Sequence, residues 1–182
     1  LNNLAAVVAN KAEFQPFLVN GRPLKAINQY YNKRKASLQS ALPKNKKWSR
    51  QLDALTHKRS QQVKNYLHQA SRYIIDSLVA AGIGKLVIGY NEGWKQEIEL
   101  GKVNNQNFTN IPHGNLAHML AYKAKLAGIE VVFTGDLYTS KCSFLDLEPV
   151  EKHDTYQGKR VFRGLFRSGA SLFINADLNG AY

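Results

Sequence analysis

Between residues 25 and 78 the apolar side chains recur every three or four positions, whereas elsewhere they gather in short unbroken runs. The first pattern predicts helices and the second predicts strands. Lys25 to Leu42 sets Ile27, Tyr31, Leu38 and Leu42 near helical spacing, and Pro43 stops it. Trp48, Leu52, Leu55, Val63, Leu67, Ala70, Ile74 and Leu78 then keep the rhythm, which predicts one amphipathic helix of about 30 residues ending at Gly82. Leu4 to Ala9, with its β-branched valines, reads as a strand. Phe17-Leu18-Val19, Asn20-Gly21 and Arg22-Pro23-Leu24 read as a hairpin, because Asn-Gly supplies the positive φ angles of a type I′ turn. Lys85 to Tyr90 has the continuous apolar run of a buried strand, and Ile129 to Phe133 is another. Between them Asn115 to Leu126 reads as a helix whose stripe is bracketed by Leu116, Met119, Leu120 and Lys123 and which Gly128 closes, completing a β-α-β unit. A final apolar run, Leu172-Phe173-Ile174, leads into a helix start with Asp177 or Asn175 near the N-cap.

Length and composition narrow this picture. At 182 residues and 44% hydrophobic content the chain suits one domain with a sizeable core and is not wholly disordered. No apolar run approaches the roughly 20 residues of a membrane span, and no charged-then-apolar leader is present, so a soluble, intracellular protein without a membrane partner is expected. A single cysteine, Cys142, rules out an intrachain disulfide and fits a reducing compartment.

Charge changes the picture more. The net charge is +12, and from Lys25 to Arg72 twelve Lys or Arg face one acid, Asp53. A solvated helix surface usually mixes signs, so this excess predicts a polyanion, and nucleic acid is the usual one. Candidate contacts are Lys25, Lys33, Arg34, Lys46, Lys47, Arg50, Lys58 and Arg59, with Gln29, Tyr30 and Tyr31 able to stack or hydrogen-bond, although at least one tyrosine is expected in the core. The polar, amide-rich stretch from residue 93 to 108 adds Lys95, Lys102, Asn104 and Asn105, and reads either as a phosphate- and base-contacting loop or as a surface loop pinned by Trp94 and Phe108. Near the C-terminus Lys159, Arg160, Arg163 and Arg167, with no acid among them, suit a DNA or RNA backbone.

Asp177 lies between small and amide-bearing neighbours. A lone Asp before a helix is ordinarily a cap, yet brought against strand ends that carry other carboxylates it suits Mg²⁺ and phosphodiester chemistry. Asn175-Ala176-Asp177-Leu178-Asn179-Gly180-Ala181-Tyr182 resembles the closing acidic motif of the OrfB/TnpB family of insertion-sequence proteins. Leu1-Asn2-Asn3-Leu4-Ala5, the run from Pro23 to Lys33, and Tyr138-Thr139-Ser140-Lys141-Cys142-Ser143 agree with it in order, so the resemblance runs the length of the chain.

The resemblance implies an α/β fold with an RNase H-like (RuvC-like) mixed sheet flanked by helices and a small inserted ribbon. Residues 1–137 would form the core, with a basic helical hairpin at 25–81; residues 138–172 would be the insert, and residues 173–182 would return to the core with its acidic motif. It implies RNA-guided DNA cleavage by two Mg²⁺ ions held on three carboxylates, with DNA and guide RNA as partners, no small-molecule substrate, and a cytoplasmic, nucleoid-associated location. The family's first catalytic Asp would precede Leu1 by about three residues, and together with the missing initiator Met this suggests a fragment, inactive alone. Its second carboxylate, a Glu, aligns with Gly89, leaving Asp136 as the preferred substitute over Glu92, or a dead centre. The insert is normally a zinc ribbon with two Cys-x-x-Cys pairs. Here only Cys142 remains, and with Asp146, His153 and Asp154 it matches no four-ligand pattern, so zinc is not expected and Cys142 reads as a small buried residue. Phe144, Leu145, Val161, Phe162, Leu165 and Phe166 would hold the insert together instead. A nuclease-dead nucleic-acid binder and a transposon remnant are the alternatives.

Overall fold

A computed structural model describes residues 3–90 and 112–182. Strand β1 (Asn3–Val7) pairs antiparallel with β2 (Phe17–Asn20). Helix α1 (Arg22–Ser40) follows at once, so the Asn-Gly pair is not a hairpin turn. Gly21 has φ −97° at the N-cap, Asn20 Oδ1 accepts from Arg22 N at 2.9 Å, and Pro23 stands in the first turn, where its missing N–H costs nothing. Arg22-Pro23-Leu24 therefore opens a helix, and the strand partner of β2 is the N-terminal run.

Helix α2 (Arg50–Ala80) is the long amphipathic helix its periodicity predicts. Ser49 caps it, accepting from Leu52 N, and Gly82 ends it at φ +64°, a conformation that costs glycine little. Trp48 lies outside it and is exposed, so it does not belong to the apolar stripe. Leu24 of α1 and Val63, Leu67, Ile74, Ile75 and Leu78 of α2 are buried in the core, joined by Leu4, Val7 and Val19 from the β1–β2 hairpin.

Strand β3 (Lys85–Gly89), helix α3 (His113–Leu126) and strand β4 (Glu130–Thr134) form the expected parallel β-α-β unit. The register sets Gly89 opposite Thr134. Gly128, at φ +76°, turns the chain from α3 into β4. β3 is not the fully buried strand its composition suggests. Ile88 is buried and Leu86 half-buried against the helices, while Val87, Val132 and Phe133 are exposed, because the core lies on one face of this strand pair.

The C-terminal part has a three-stranded antiparallel sheet in the order β5 (Lys159–Phe162), β6 (Leu165–Arg167), β7 (Phe173–Asn175), which leads directly into the single-turn helix α4 (Ala176–Asn179). The sheet continues across residues 172 and 173, since β7 is hydrogen-bonded to β6. Only Phe166 is deeply buried in it. Val161 and Phe162 are exposed and do not supply the packing expected of them. The architecture is thus mixed α/β with small sheets and helices. No helix among the described residues is long and apolar enough to cross a membrane.

Candidate nucleic-acid interface and its carboxylates

Helices α1 and α2 pack side by side, and polar ties as well as apolar contacts hold them. Asn28, 1% exposed, accepts from Arg59 Nε at 2.9 Å, and the Tyr31 hydroxyl lies 3.2 Å from Thr56 Oγ1. The Arg59 guanidinium and Lys35 Nζ lie 5.8 and 5.7 Å from the centre of the Tyr31 ring. Arg59 and Tyr31 therefore join the helices, and Lys25 is half-buried. Gln29, Tyr30, Lys33, Arg34, Lys46, Lys47, Arg50 and Lys58 are exposed. Trp48, 62% exposed between Lys47 and Arg50, is an aromatic that helical periodicity misassigned to the core; its place inside a run of cations is the signal that identifies it as a surface group.

Lys123 of α3 is turned away from this surface. Its Nζ donates to His68 O at 2.9 Å and to Ser71 Oγ at 2.8 Å, tying α3 to α2. Burial lowers its pKa, Arg72 adds to that effect, and Asp76 opposes it.

The candidate carboxylates sit at the ends of strands. Asp177 lies in the first turn of α4; its N–H donates to Asn175 Oδ1 at 2.9 Å, and its Oδ2 accepts from Asn3 Nδ2 of β1 at 2.7 Å. Asn175, not Asp177, is the N-cap, which leaves the Asp177 side chain to face β1. Asp136 follows β4, and a Cβ placed on Gly89 would lie 3.6 Å from its own Cβ. Asp136 thus stands beside Gly89, where the family resemblance leads one to expect the Glu. Two carboxylates are chemically apt for a hard cation, but among the described residues no group of three His, Cys, Asp or Glu side chains is placed to hold one. Glu92, Lys95, Lys102, Asn104 and Asn105, with Trp94 and Phe108, lie outside the described residues.

Residues 138–172 are held by carboxylates that the sequence offered only as conceivable metal ligands or left unremarked. Glu148, 7% exposed, accepts from Ser143 N at 2.8 Å and from Gln157 N at 3.0 Å. Asp146 accepts from Ser143 Oγ at 2.5 Å, Gly169 N at 2.7 Å and Ala170 N at 3.3 Å. The Ser143 hydroxyl and then the Gly169 N–H hold its pKa below the usual carboxylate range. Asn179 of α4 donates to Cys142 O at 2.8 Å and accepts from Phe144 N at 3.1 Å, and Phe144 stacks on Tyr182 at 4.1 Å. Cys142 is buried, as its reading as a small apolar residue predicts. Arg160 and Arg163 are exposed.

With this geometry in place, comparison with known proteins is informative. The OrfB_IS605 family, a probable transposase, matches residues 1–95, and the Cas12f1-like TNB domain matches residues 113–182. No curated protein sequence matches the chain. The fold is similar to that of a protein solved by cryo-EM as a Cas12f1-sgRNA-target DNA complex, with TM-score 0.68 and 18% identity over 95% of this chain and 44% of that one. It is also similar to the chain of a CRISPR-Cas12f ternary complex, with TM-score 0.63 and 17% identity over 94% of this chain and 34% of that one. The chain therefore spans less than half the length of either.

Proposed function

The chain belongs to the OrfB/TnpB family of probable transposases, and from that premise we propose that it is part of an RNA-guided DNA endonuclease with an RNase H-like core. The observation that carries the nuclease reading is the placement of Asp136 against Gly89, at the end of two parallel strands in register. A carboxylate there occupies the neighbourhood from which the family's Glu would act. Asp177, its Oδ2 fixed by Asn3, has no partner on Oδ1 among the described residues and can offer that oxygen to a cation. In this reading Asp136 and Asp177 are two of the Mg²⁺ ligands and further oxygens come from outside the described residues. Mg²⁺, when bound, supplies an activated water and stabilises charge on the phosphodiester. The exposed cations of α1, α2 and the loop between them grip the guide RNA or target DNA backbone, with affinity that falls steeply with salt.

The test is cleavage of guide-matched DNA by a longer form of the protein that includes the sequence upstream of Leu1. Asp177→Ala and Asp136→Ala should each abolish Mg²⁺-dependent cutting while leaving DNA and RNA affinity unchanged. Retained cutting by either variant sinks that residue's assignment. A second reading, a binder without cleavage, is supported by the exposed cations of α1, α2 and the loop between them, which need no carboxylate to hold a polyanion. It predicts no cutting in any form, together with binding that weakens when Lys44, Lys46, Lys47 and Arg50 are reversed to Glu.

A further inference from the structure

Three asparagine side chains hold the turn that carries Asp177. Asn175 fixes its backbone, its Oδ1 accepting from Asp177 N at 2.9 Å and from Leu178 N at 3.3 Å. Asn179 fixes the rest of α4 by donating to Cys142 O at 2.8 Å and accepting from Phe144 N at 3.1 Å. Neither set of bonds involves the Asp177 carboxylate. The bond that does comes from Asn3 of β1, whose Nδ2 donates to Oδ2 at 2.7 Å across 174 residues of sequence.

Strand β1 is irregular where Asn3 leaves it. Ala5, Ala6 and Val7 pair in step with Val19, Leu18 and Phe17, but Asn3 pairs with Asn20, so two steps along β1 match one along β2. That is a β-bulge with Leu4 as the extra residue. Regular alternation back from the buried Val7 would set Asn3 on the core face and Leu4 outside. The bulge reverses both: Leu4 is buried in the core, and Asn3 meets Asp177. Gly21 gives the bulge its room, since a Cβ there would lie 3.1 Å from Asn3 C and 3.2 Å from Leu4 N.

The choice of an amide has a chemical consequence. An ionised carboxylate only accepts hydrogen bonds, so whatever orients it must donate. A Lys or Arg at position 3 would donate too, but would cancel the negative charge that attracts a cation. A neutral amide orients the carboxylate and leaves its charge in place. Orientation matters most to a cation with strict geometry. Mg²⁺ demands near-ideal octahedral coordination, whereas Ca²⁺ accepts larger and more irregular shells.

We infer that Asn3 is a positioning residue for Asp177, and that by holding the carboxylate it makes the site selective for Mg²⁺ over Ca²⁺. This deepens the proposed function and rests on its assignment of Asp177 as a Mg²⁺ ligand. Asn3 acts through Asp177 and is not itself a ligand.

The test uses the longer form that includes the sequence upstream of Leu1, free of nucleic acid, with Mn²⁺ as the probe. Electron paramagnetic resonance counts free Mn²⁺, and Mg²⁺ or Ca²⁺ is added to displace the bound ion. The parent is compared with Asn3→Ala, with Asn3→Leu, which keeps a similar side-chain volume without the donor, and with Asp177→Ala. Thermal unfolding establishes that each is folded. In both Asn3 variants Mg²⁺ affinity should fall about 10-fold, the scale set by loss of an outer-shell partner, while Ca²⁺ affinity falls less than about 3-fold. Asp177→Ala should lose the site for every ion. Parent-like Mg²⁺ affinity in a folded Asn3 variant, alongside loss of binding in Asp177→Ala, overturns the inference and leaves the Asp177 assignment standing. Equal losses of Mg²⁺ and Ca²⁺ affinity overturn it too and make the Asn3 bond a contact of the fold alone, as does failure of both Asn3 variants to fold. Parent-like Mn²⁺ binding by Asp177→Ala, or a parent that binds no Mn²⁺, refutes the assignment and the inference together.

Discussion

Replacing Glu148 by Ala tests whether carboxylates hold residues 138–172 together. The substitution removes the acceptor shared by Ser143 N and Gln157 N, which lie 14 residues apart in sequence. Ser143 is 0% exposed, so water does not reach its N–H, and an unsatisfied buried donor costs about 1–3 kcal/mol. Gln157 is exposed and its N–H regains a water, so that bond contributes roughly 0.5–1 kcal/mol. The sum, about 2–4 kcal/mol, is a large share of the 5–15 kcal/mol typical of a whole domain. With a urea dependence of about 2 kcal/mol per M, the unfolding midpoint should fall by about 1–2 M. Glu148→Gln should lose less, because its one oxygen can keep the buried Ser143 N–H while its NH₂ group meets the exposed Gln157 N–H. Limited proteolysis should then cut within residues 138–172 before the helical hairpin, and EDTA should leave the parent's midpoint where it was. A Glu148→Ala midpoint equal to the parent's, together with destabilisation of the parent by EDTA, would refute the reasoning and show that a metal ion pins these residues.

Asp146 adds an acid-sensitive limb to the same subdomain. Its folded pKa is depressed, so its contribution is present above the ordinary carboxylate pKa and is lost as pH falls through the lower folded value. Stability measured from neutral pH downward should decline there, and Asp146→Asn should start lower at neutral pH and flatten that decline; an unchanged slope removes Asp146 as the cause. In the helical hairpin, Asn28→Ala deletes the acceptor for Arg59 Nε inside a site 1% exposed, with an expected cost of about 1–3 kcal/mol in urea unfolding. Asn28→Ala at parental stability would mean that Arg59 reaches solvent without penalty. Leu67→Ala, at a position 1% exposed in the centre of α2, should cost about 2–5 kcal/mol, and a cost below 1 would show that α1 and α3 collapse around the gap.

The sequence disclosed the elements that carry their own signal. Helix α2 was legible because 31 residues repeat one apolar face between a Ser N-cap and a glycine that takes positive φ. The β-α-β unit was legible from two β-branched runs around a helix ended by Gly128. Asn20-Gly21 misled because an Asn side chain satisfies a helix's first N–H groups as readily as it tolerates a tight turn, and Pro23 in the next positions decides for the helix. Trp48 and Phe162 misled for a different reason. Composition reports that a residue is apolar, whereas the direction of its side chain follows from the cap at Ser49 and the strand register at Leu165, neither of which periodicity encodes.

Carboxylates show the same limit more sharply. Asp136, Asp146, Glu148 and Asp177 are interchangeable in composition, and what each can do is set by the donors aimed at it. Asp146 takes one hydroxyl and two backbone N–H donors, and Glu148 takes two backbone N–H donors in a buried position; both are spent on the fold. A carboxylate neutralised in this way has little reason to shed its donors for a cation, since each displaced N–H would itself be left unsatisfied. Asp177 differs in taking a single side-chain amide on one oxygen, and that donor comes from β1, 174 residues away in sequence. Such a contact ties one oxygen of the carboxylate to β1. Asp136 differs in standing beside a glycine, its Cβ 3.6 Å from where a Cβ on Gly89 would lie. The use of each acid thus rests on the donors that the fold aims at it, which spacing does not encode: the motif nominated Asp177 and the lack of a four-ligand pattern argued against zinc at Asp146, but neither named the Ser143, Gly169 and Ala170 donors.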